Sequence, residues 1–374
     1  MKNGASIKSG CVLATVFREP IEAGSAMTLG LINLYSTRNL GDAAIYAALA
    51  HMSPHGRVAG VLNEKSPTLI SGFSAKPDLD DCSSFVSVGG DIFNNARPRL
   101  ITKRFLSNVR ALNNQRRRTM LFGQSIPRSC KGISFALLAS SIKNIAAAVV
   151  RDEESHKRLR DANVPIELSY DTAFILKPSQ TAIAEAISLY SSFGLEPSKT
   201  AVISLRNESS MYGKTGSEKQ LVEICNCLSA RGHQIALVIQ ADGDMADTDR
   251  VLATRIQKAC PQTVILDPFL AAPPLEPWAL LTAMFAIAHI VVAVRYHAAI
   301  LRLIAGRKCY VLHYSNKGSD LCQRLGLAGT SLGGTVDTKL IEDIEASGQA
   351  VFDAEPYAVH VRESFKRGLA LASA

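Results

Sequence analysis

The chain has 374 residues, more than one ordinary hydrophobic core organises, so two domains are the starting expectation. A hydrophobic fraction of 47% against 20% charged residues excludes a disordered chain, and only 6% aromatics leaves Ala, Val, Ile and Leu to build the core. The net charge of +8 points to anionic partners: a phosphorylated small molecule, nucleic acid or an acidic membrane face.

Residues 1–26 do not have the order of a secretory signal, because the apolar stretch "CVLATVF" is short and Arg18 and Glu19 follow it. They are read as an N-terminal extension, with the fold beginning near Met27. Short β-rich runs then alternate with helical patterns. "LGLINL" (29–34), "RVAGVL" (57–62), "SFVSVGG" (84–90), "TMLFGQS" (119–125) and "IAAAVV" (145–150) read as strands, with helices over 42–51, 98–113 and 133–143. Continuous apolar strands are buried on both faces, which is the mark of a parallel sheet covered by helices.

The stretch 176–199 reads as a helix flanked by Pro and Ser and serves as the linker. The alternation then resumes with "TAVISLR" (200–206), "QIALVIQ" (234–240), "TVILD" (263–267), "IVVAVR" (290–295) and "KCYVLHY" (308–314). Between the first two lies a helix with Ser217 as cap, Gln220 at the capping-box position and Gly232 to end it. The longest apolar run, "ALLTAMFAIAHIVVAV", is short for a membrane span and reads as a helix followed by a buried strand. The eight cysteines are scattered without metal-ligand or disulfide spacing, which fits free thiols in a reducing compartment. The expected division is an extension at 1–26, a Rossmann-like domain at 27–178, a linker at 179–199, a second Rossmann-like domain at 200–335 and a helical segment at 336–374.

In such sheets ligands sit at the carboxyl ends of strands, and polar residues concentrate there. "YSTRNLGDAAI" follows the first strand: Asn39 and Gly41 suit a tight turn, and Asp42 is placed to cap the helix, to bind a hydroxyl or to act as a base. Gly41 would let backbone approach a ligand. "VGGDIF" places Gly90 and Asp91 at another strand end. Arg151 and Asp152 follow a third strand and read mostly as a solvated face, while Asp171 is the better polar candidate nearby. Arg206, Arg295 and Lys317 each end a strand of the second half, and His297 opens a helix there. Paired guanidiniums at strand ends form an anion site, although Arg295 would equally suit a salt bridge and Lys317 an exposed loop. Tyr296 is expected to point into packing. "NNQRRRT", with Arg116, Arg117 and Arg118, reads as a solvated loop near acidic lipid. It has no interleaved aromatics for nucleic acid.

The elements "NLYSTRNLGDAAI", "VGGDIF", "RDEES", "DTAF" and "VRYHAAILRLIAGRKCYVLHYSNKGSDLCQRLGL" resemble, in order and content, the polysaccharide pyruvyl transferases over residues 28–330. The resemblance implies two Rossmann-like domains facing across a cleft, as in GT-B glycosyltransferases. It also implies transfer of the pyruvyl group of phosphoenolpyruvate onto sugar hydroxyls as a ketal. Arg206, Arg295 and His297 fall on the family's phosphoenolpyruvate-binding and catalytic positions, and Lys317 adds a third cation. The N-terminal half, with Asn39, Gly41, Gly90 and Asp91, would hold a sugar, oligosaccharide or lipid-linked glycan acceptor. His297 would protonate the methylene carbon and Asp42 or Asp91 would take a hydroxyl proton. Phosphoenolpyruvate is then a co-substrate, and the scheme uses no cofactor or metal.

Two other readings compete. A GT-B glycosyltransferase using a nucleotide sugar shares the architecture, but a ribose-holding Glu is not evident after Arg295. A non-catalytic module for anionic glycan or nucleic acid does not account for Arg-x-His at a strand end. The expected location is cytoplasmic, with peripheral attachment at the inner face of a membrane, and no nucleic-acid partner.

Overall fold

A computed structural model of the chain describes residues 28–95, 100–206, 217–243 and 248–374. The N-terminal half contains strands β1 (Thr28–Ile32), β2 (Val58–Gly60), β3 (Phe73–Ala75), β4 (Cys82–Ser87), β5 (Thr119–Gln124), β6 (Ala147–Val150) and β7 (Glu167–Leu168). Among them run helices α1 (Leu40–Met52), α2 (Lys103–Asn114), α3 (Ile133–Ile142) and α4 (Glu153–Asp161). Helix α5 (Gln180–Ser192) leads into β8 (Thr200–Ser204), α6 (Ser217–Ala230), β9 (Gln234–Val238), α7 (Arg250–Ala259) and β10 (Val264–Leu266). Then come α8 (Pro277–Ile287), β11 (Ile290–Ala293), α9 (Tyr296–Ile304), β12 (Tyr310–His313), α10 (Asn316–Leu325) and β13 (Gly329–Ser331). Helices α11 (Thr338–Gln349) and α12 (Glu355–Ala372) close the chain.

Among the described residues the strands form two parallel sheets, ordered β3-β2-β1-β4-β5-β6-β7 and β10-β9-β8-β11-β12-β13. The sequence-read strands fall inside these sheets, while the two-residue β7 and the strands β3 and β13 are not among them. The last two are three-residue edge strands, "FSA" and "GTS", too short and too polar to show a buried pattern. In each sheet the chain leaves a central strand to one side and returns on the other, between β1 and β4 and between β8 and β11. At such a switch point the connections diverge and leave a crevice at the carboxyl edge.

Helices α1 and α8 are buried along nearly their whole length and carry apolar residues on every side. They pack against each other at the junction, and one hydrophobic cluster runs through them from Leu31 and Val86 to Val202 and Val291. Each sheet also has a second apolar face of its own. In the N-terminal half α2, α3 and α4 cover it, with Phe105, Leu138 and Leu159 inside. Helix α12 returns to the N-terminal sheet, where Phe365 meets Phe122 edge-on at 5.3 Å.

Two capping expectations are corrected. The cap of α1 is Asn39, whose Oδ1 accepts from the Gly41 N–H at 3.2 Å, and Asp42 lies inside the first turn. Gln220, read as a capping-box residue, directs its Oε1 out of its helix, where it accepts from the Gly333 N–H at 2.7 Å. Gly232 does take a left-handed conformation, with φ +89°. The seven cysteines among the described residues are free thiols.

Candidate active site

Asp91, after β4, and Lys317, in the first turn of α10, meet across the cleft with Nζ to Oδ2 at 2.7 Å. Burial alone would raise the pKa of Asp91. The charges of Lys317, Arg151 and Arg206 more than reverse this and hold the carboxyl below its usual range. One carboxylate therefore lies within the field of three cations, drawn from both halves of the chain. Lys317 responds in kind: burial would lower its pKa, and Asp91 drives it up instead.

Arg151, at the end of β6, is 1% exposed. Its Nε donates to Ser125 Oγ at 2.9 Å and its Nη1 to Asp171 Oδ2 at 2.6 Å. Its Nη2 is buried and has no hydrogen-bond partner among the described residues. A methyl group added at Gly90 would stand 3.4 Å from that nitrogen, so Nη2 is turned toward the Gly90–Asp91 turn. A buried guanidinium N–H without an acceptor is costly.

His297, in the first turn of α9, is 8% exposed. Its Nε2 is 3.4 Å from Asp171 Oδ2 and 3.4 Å from Arg151 Nη1. A protonated ring can donate to the carboxylate, and a neutral ring can accept from the guanidinium. The imidazole thus keeps a partner in either state, as a proton donor requires. Burial alone would raise the Asp171 pKa, but the charges of His297 and Arg151 hold it well below the usual carboxylate range. Gly41 lies against the other edge of the ring, and any side chain there would collide with it. Gly41 therefore lets helix α1 approach His297, where the sequence suggested approach to a ligand.

Tyr296 does pack, but it also carries charge. Arg151 lies over its ring at 4.6 Å and Lys317 at 5.8 Å. Its negative π face supports both cations at a point where they would otherwise repel. Arg206 stacks on Tyr314 at 4.0 Å and donates to its hydroxyl.

Arg295 does not face the cation cluster as an open ligand. Its Nη2 pairs with Asp249 Oδ1 at 2.7 Å, and its Nε reaches both carboxylate oxygens and the Leu205 carbonyl. Asn39 is likewise engaged: beside capping α1 it forms a bridge with Ala241, so it joins the two halves. Asp42 is 4% exposed inside α1. Arg151 and Asp91 of the first half and Lys317 of the second come together at the cleft. Arg151, read from the sequence mostly as part of a solvated face, is buried here, and Tyr296 faces two cations besides packing. The signal was present for Arg151, a buried-strand end followed by Asp152, which caps α4 through Ser155 N–H at 2.8 Å.

A cavity of about 250 Å³ opens beside this cluster, lined by Asp91, Asn94, Ser125, Glu154, Asn316 and Lys317 among others. Helix α10 holds its two walls together. Asn316 donates to Glu154 at 3.0 Å, and Arg324 donates to the carbonyls of Arg151 and Ser169 at 2.6 and 2.9 Å. Among the described residues no cluster of three or more His, Cys, Asp or Glu could hold a metal ion. No helix there is long and apolar enough to cross a membrane.

Two parallel-sheet domains that meet at their switch points define a GT-B-like α/β enzyme fold. Solved structures agree. UDP-GlcNAc 2-epimerase from Neisseria meningitidis bound to UDP-GlcNAc matches with TM-score 0.57 and 10% identity over 92% of this chain and all (100%) of that one. UDP-N-acetylglucosamine 2-epimerase from Rickettsia bellii matches with TM-score 0.55 and 9% identity over 92% and 96%. Anabaena HepE, solved in complex with UDP and glucose, matches with TM-score 0.53 and 10% identity over 91% and 100%. At such identities the likeness is one of fold. A search of curated protein sequences gives no match. The sequence profile of the polysaccharide pyruvyl transferases matches residues 39–316, and the chain belongs to that family.

Proposed function

We propose that this member of the family is a phosphoenolpyruvate-dependent transferase. It moves the pyruvyl group onto sugar hydroxyls, as a ketal, in the synthesis of exopolysaccharide or cell-surface glycan. The observation that carries the reading is the meeting across the cleft of Lys317 with Asp91 and of both Lys317 and Arg151 on the ring of Tyr296. Asp91 answers Lys317 and Asp171 answers Arg151, so with Arg206 the cluster keeps a positive excess, and phosphoenolpyruvate brings a phosphate and a carboxylate. The unpaired Nη2 of Arg151 supplies a donor for one of them.

In this scheme His297, with Asp171 ionised beside it, protonates the methylene carbon, which becomes a methyl group. The central carbon takes up positive charge and a sugar hydroxyl attacks it, releasing its proton. A second hydroxyl then displaces inorganic phosphate and closes the ketal. Arg295 positions the start of α9 and does not touch substrate. Asp91, which faces the cavity, and Asp42 are the candidates to receive hydroxyl protons. The reaction takes place in the cytoplasm, at the inner face of a membrane when the acceptor is lipid-linked.

The test is calorimetric titration with phosphoenolpyruvate and, separately, nucleotide sugars, followed by phosphate release with a panel of sugar acceptors. Phosphoenolpyruvate binding with acceptor-dependent phosphate release is the expected result. Tight binding of a nucleotide sugar with no response to phosphoenolpyruvate would overturn the reading in favour of glycosyl transfer. His297→Ala should lower turnover about 100-fold or more while phosphoenolpyruvate affinity changes far less. Near wild-type turnover removes the acid role.

A further inference from the structure

The charge of the chain is unevenly placed. No Asp or Glu occurs between Asp91 and Asp152, whereas twelve Lys and Arg do. The whole chain carries +8, so everything outside that segment is net negative. The segment includes helices α2 and α3, which lie side by side on one face of the N-terminal sheet. They share the core of Phe105, Val109, Leu112, Leu138 and Ile142, and Asn113 donates to Ser141 at 3.1 Å.

Because Phe105, Val109 and Leu112 turn α2 inward, Lys103 and Arg110 stand exposed on its outer side, followed past its end by Arg116 and Arg117. Lys131 and Lys143, at the two ends of α3, are exposed as well. Two large apolar side chains accompany them: Ile133 is 77% exposed and Leu100 is 63% exposed. Both precede or open a helix that follows β4 or β5, so both lie at the carboxyl edge of the sheet, the edge that borders the cleft. Helix α4, next to α2 and α3, is balanced, with Glu153, Glu154 and Asp161 against Lys157, Arg158 and Arg160.

We propose that the α2–α3 face docks the protein onto a bilayer containing anionic lipid. Leu100 and Ile133 would enter the headgroup region, with the helix face along the membrane and the cleft edge of the sheet beside it. Charge complementarity supplies the attraction, and exposed apolar side chains beside the cations gain from a bilayer. A nucleic acid would fit less well, since no aromatic side chain is exposed on α2 or α3 to stack with bases. The proposal rests on the functional reading for its purpose, delivery of a lipid-held acceptor, and on charge and exposure for its evidence.

The test is co-sedimentation of the full chain with two kinds of vesicle, phosphatidylcholine alone and phosphatidylcholine mixed with phosphatidylglycerol, at low and high salt. Binding to the mixed vesicles only, lost at high salt, is expected. Removing a cation should weaken partition roughly fivefold, so the triple variant Arg110→Glu, Arg116→Glu, Arg117→Glu should lose at least about 100-fold. Ile133→Ser should lose a smaller factor. The exposed control pair Lys219→Glu and Lys339→Glu should bind as wild type. Equal binding to both vesicles, an unaffected triple variant, or capture of a single-stranded oligonucleotide with no vesicle binding would overturn the proposal. Circular dichroism and phosphate release with a soluble acceptor should be unchanged in the triple variant. Vesicle binding without any turnover would sink the functional reading and leave the docking face standing; normal turnover without vesicle binding would do the reverse.

Discussion

Arg151 and Arg295 each end a parallel strand, one in each half of the chain, and each pairs with an aspartate that has no exposed side-chain surface. Around Arg295 the pair is closed. Asp249 takes two of its nitrogens, and the remaining capacity of the carboxylate is filled by the N–H groups of Gln240 and Ala241 at 3.0 and 2.8 Å. Around Arg151 the pair is open on one side. Asp171 is shared with His297, the guanidinium rests on Tyr296, and one nitrogen has no acceptor among the described residues. A closed pair holds structure together. An open one leaves a hydrogen-bond donor unused, at a cost in stability. Strand-end arginines of identical appearance in sequence therefore divide by how their partners are satisfied.

The contrast can be broken most directly at Asp249. Asp249→Ala removes the carboxylate that pairs with the buried Arg295 and should cost about 3–5 kcal/mol of stability, measured by denaturant unfolding. A loss below about 1 kcal/mol would mean that the pair is not closed. Arg151→Gln should act on the ligand instead, weakening phosphoenolpyruvate binding by about 10- to 100-fold in calorimetry. Arg295→Gln should reduce stability more than affinity, and equal losses of affinity in the two variants would erase the distinction. Gly41→Ala forces the His297 ring out of place. It should cost about 1–3 kcal/mol and lower turnover with little change in phosphoenolpyruvate affinity.

The smallest effect concerns the clamp that keeps Arg151 in place. On α10, Asp320 faces α4, where burial and then the nearby charge of Asp152 raise its carboxyl to about 6. A raised carboxyl favours the protonated folded state. Its contribution is fully present below the ordinary carboxylate pKa and is lost as pH rises through about 6. Asp320→Asn should flatten the pH dependence of thermal unfolding between these limits and raise the midpoint slightly at pH 7.

Much of the fold was legible because it rests on local signals. Buried parallel strands show as unbroken apolar runs, and "VVAVRYHAAILRLIAG" displays a strand, a polar turn and a packed helix in order. The grouping of Arg206, Lys317, His297 and Asp91 at strand ends was also legible, since the carboxyl edge of such a sheet collects them. What pairs with what was not. That Asp249 satisfies Arg295, or that Asp171 joins Arg151 to His297, depends on contacts between segments 46, 20 and 126 positions apart. Gly41 shows the same limit: its sequence context suggests a turn, and its reason lies in an imidazole from the other half of the chain.

Helix α12 has a consequence for the order in which the molecule is made. Its Phe365 fills the N-terminal sheet against Phe122, and Gly368 lies so close to Met120 that a larger residue would not fit without movement. The β8–β13 sheet, by contrast, is covered on one face by α6, α7 and α11, all of which emerge earlier. The first half of the polypeptide to leave the ribosome is therefore the last to be sealed. Until residues 355–372 arrive, the β5–β6 part of one apolar face of its sheet stays open.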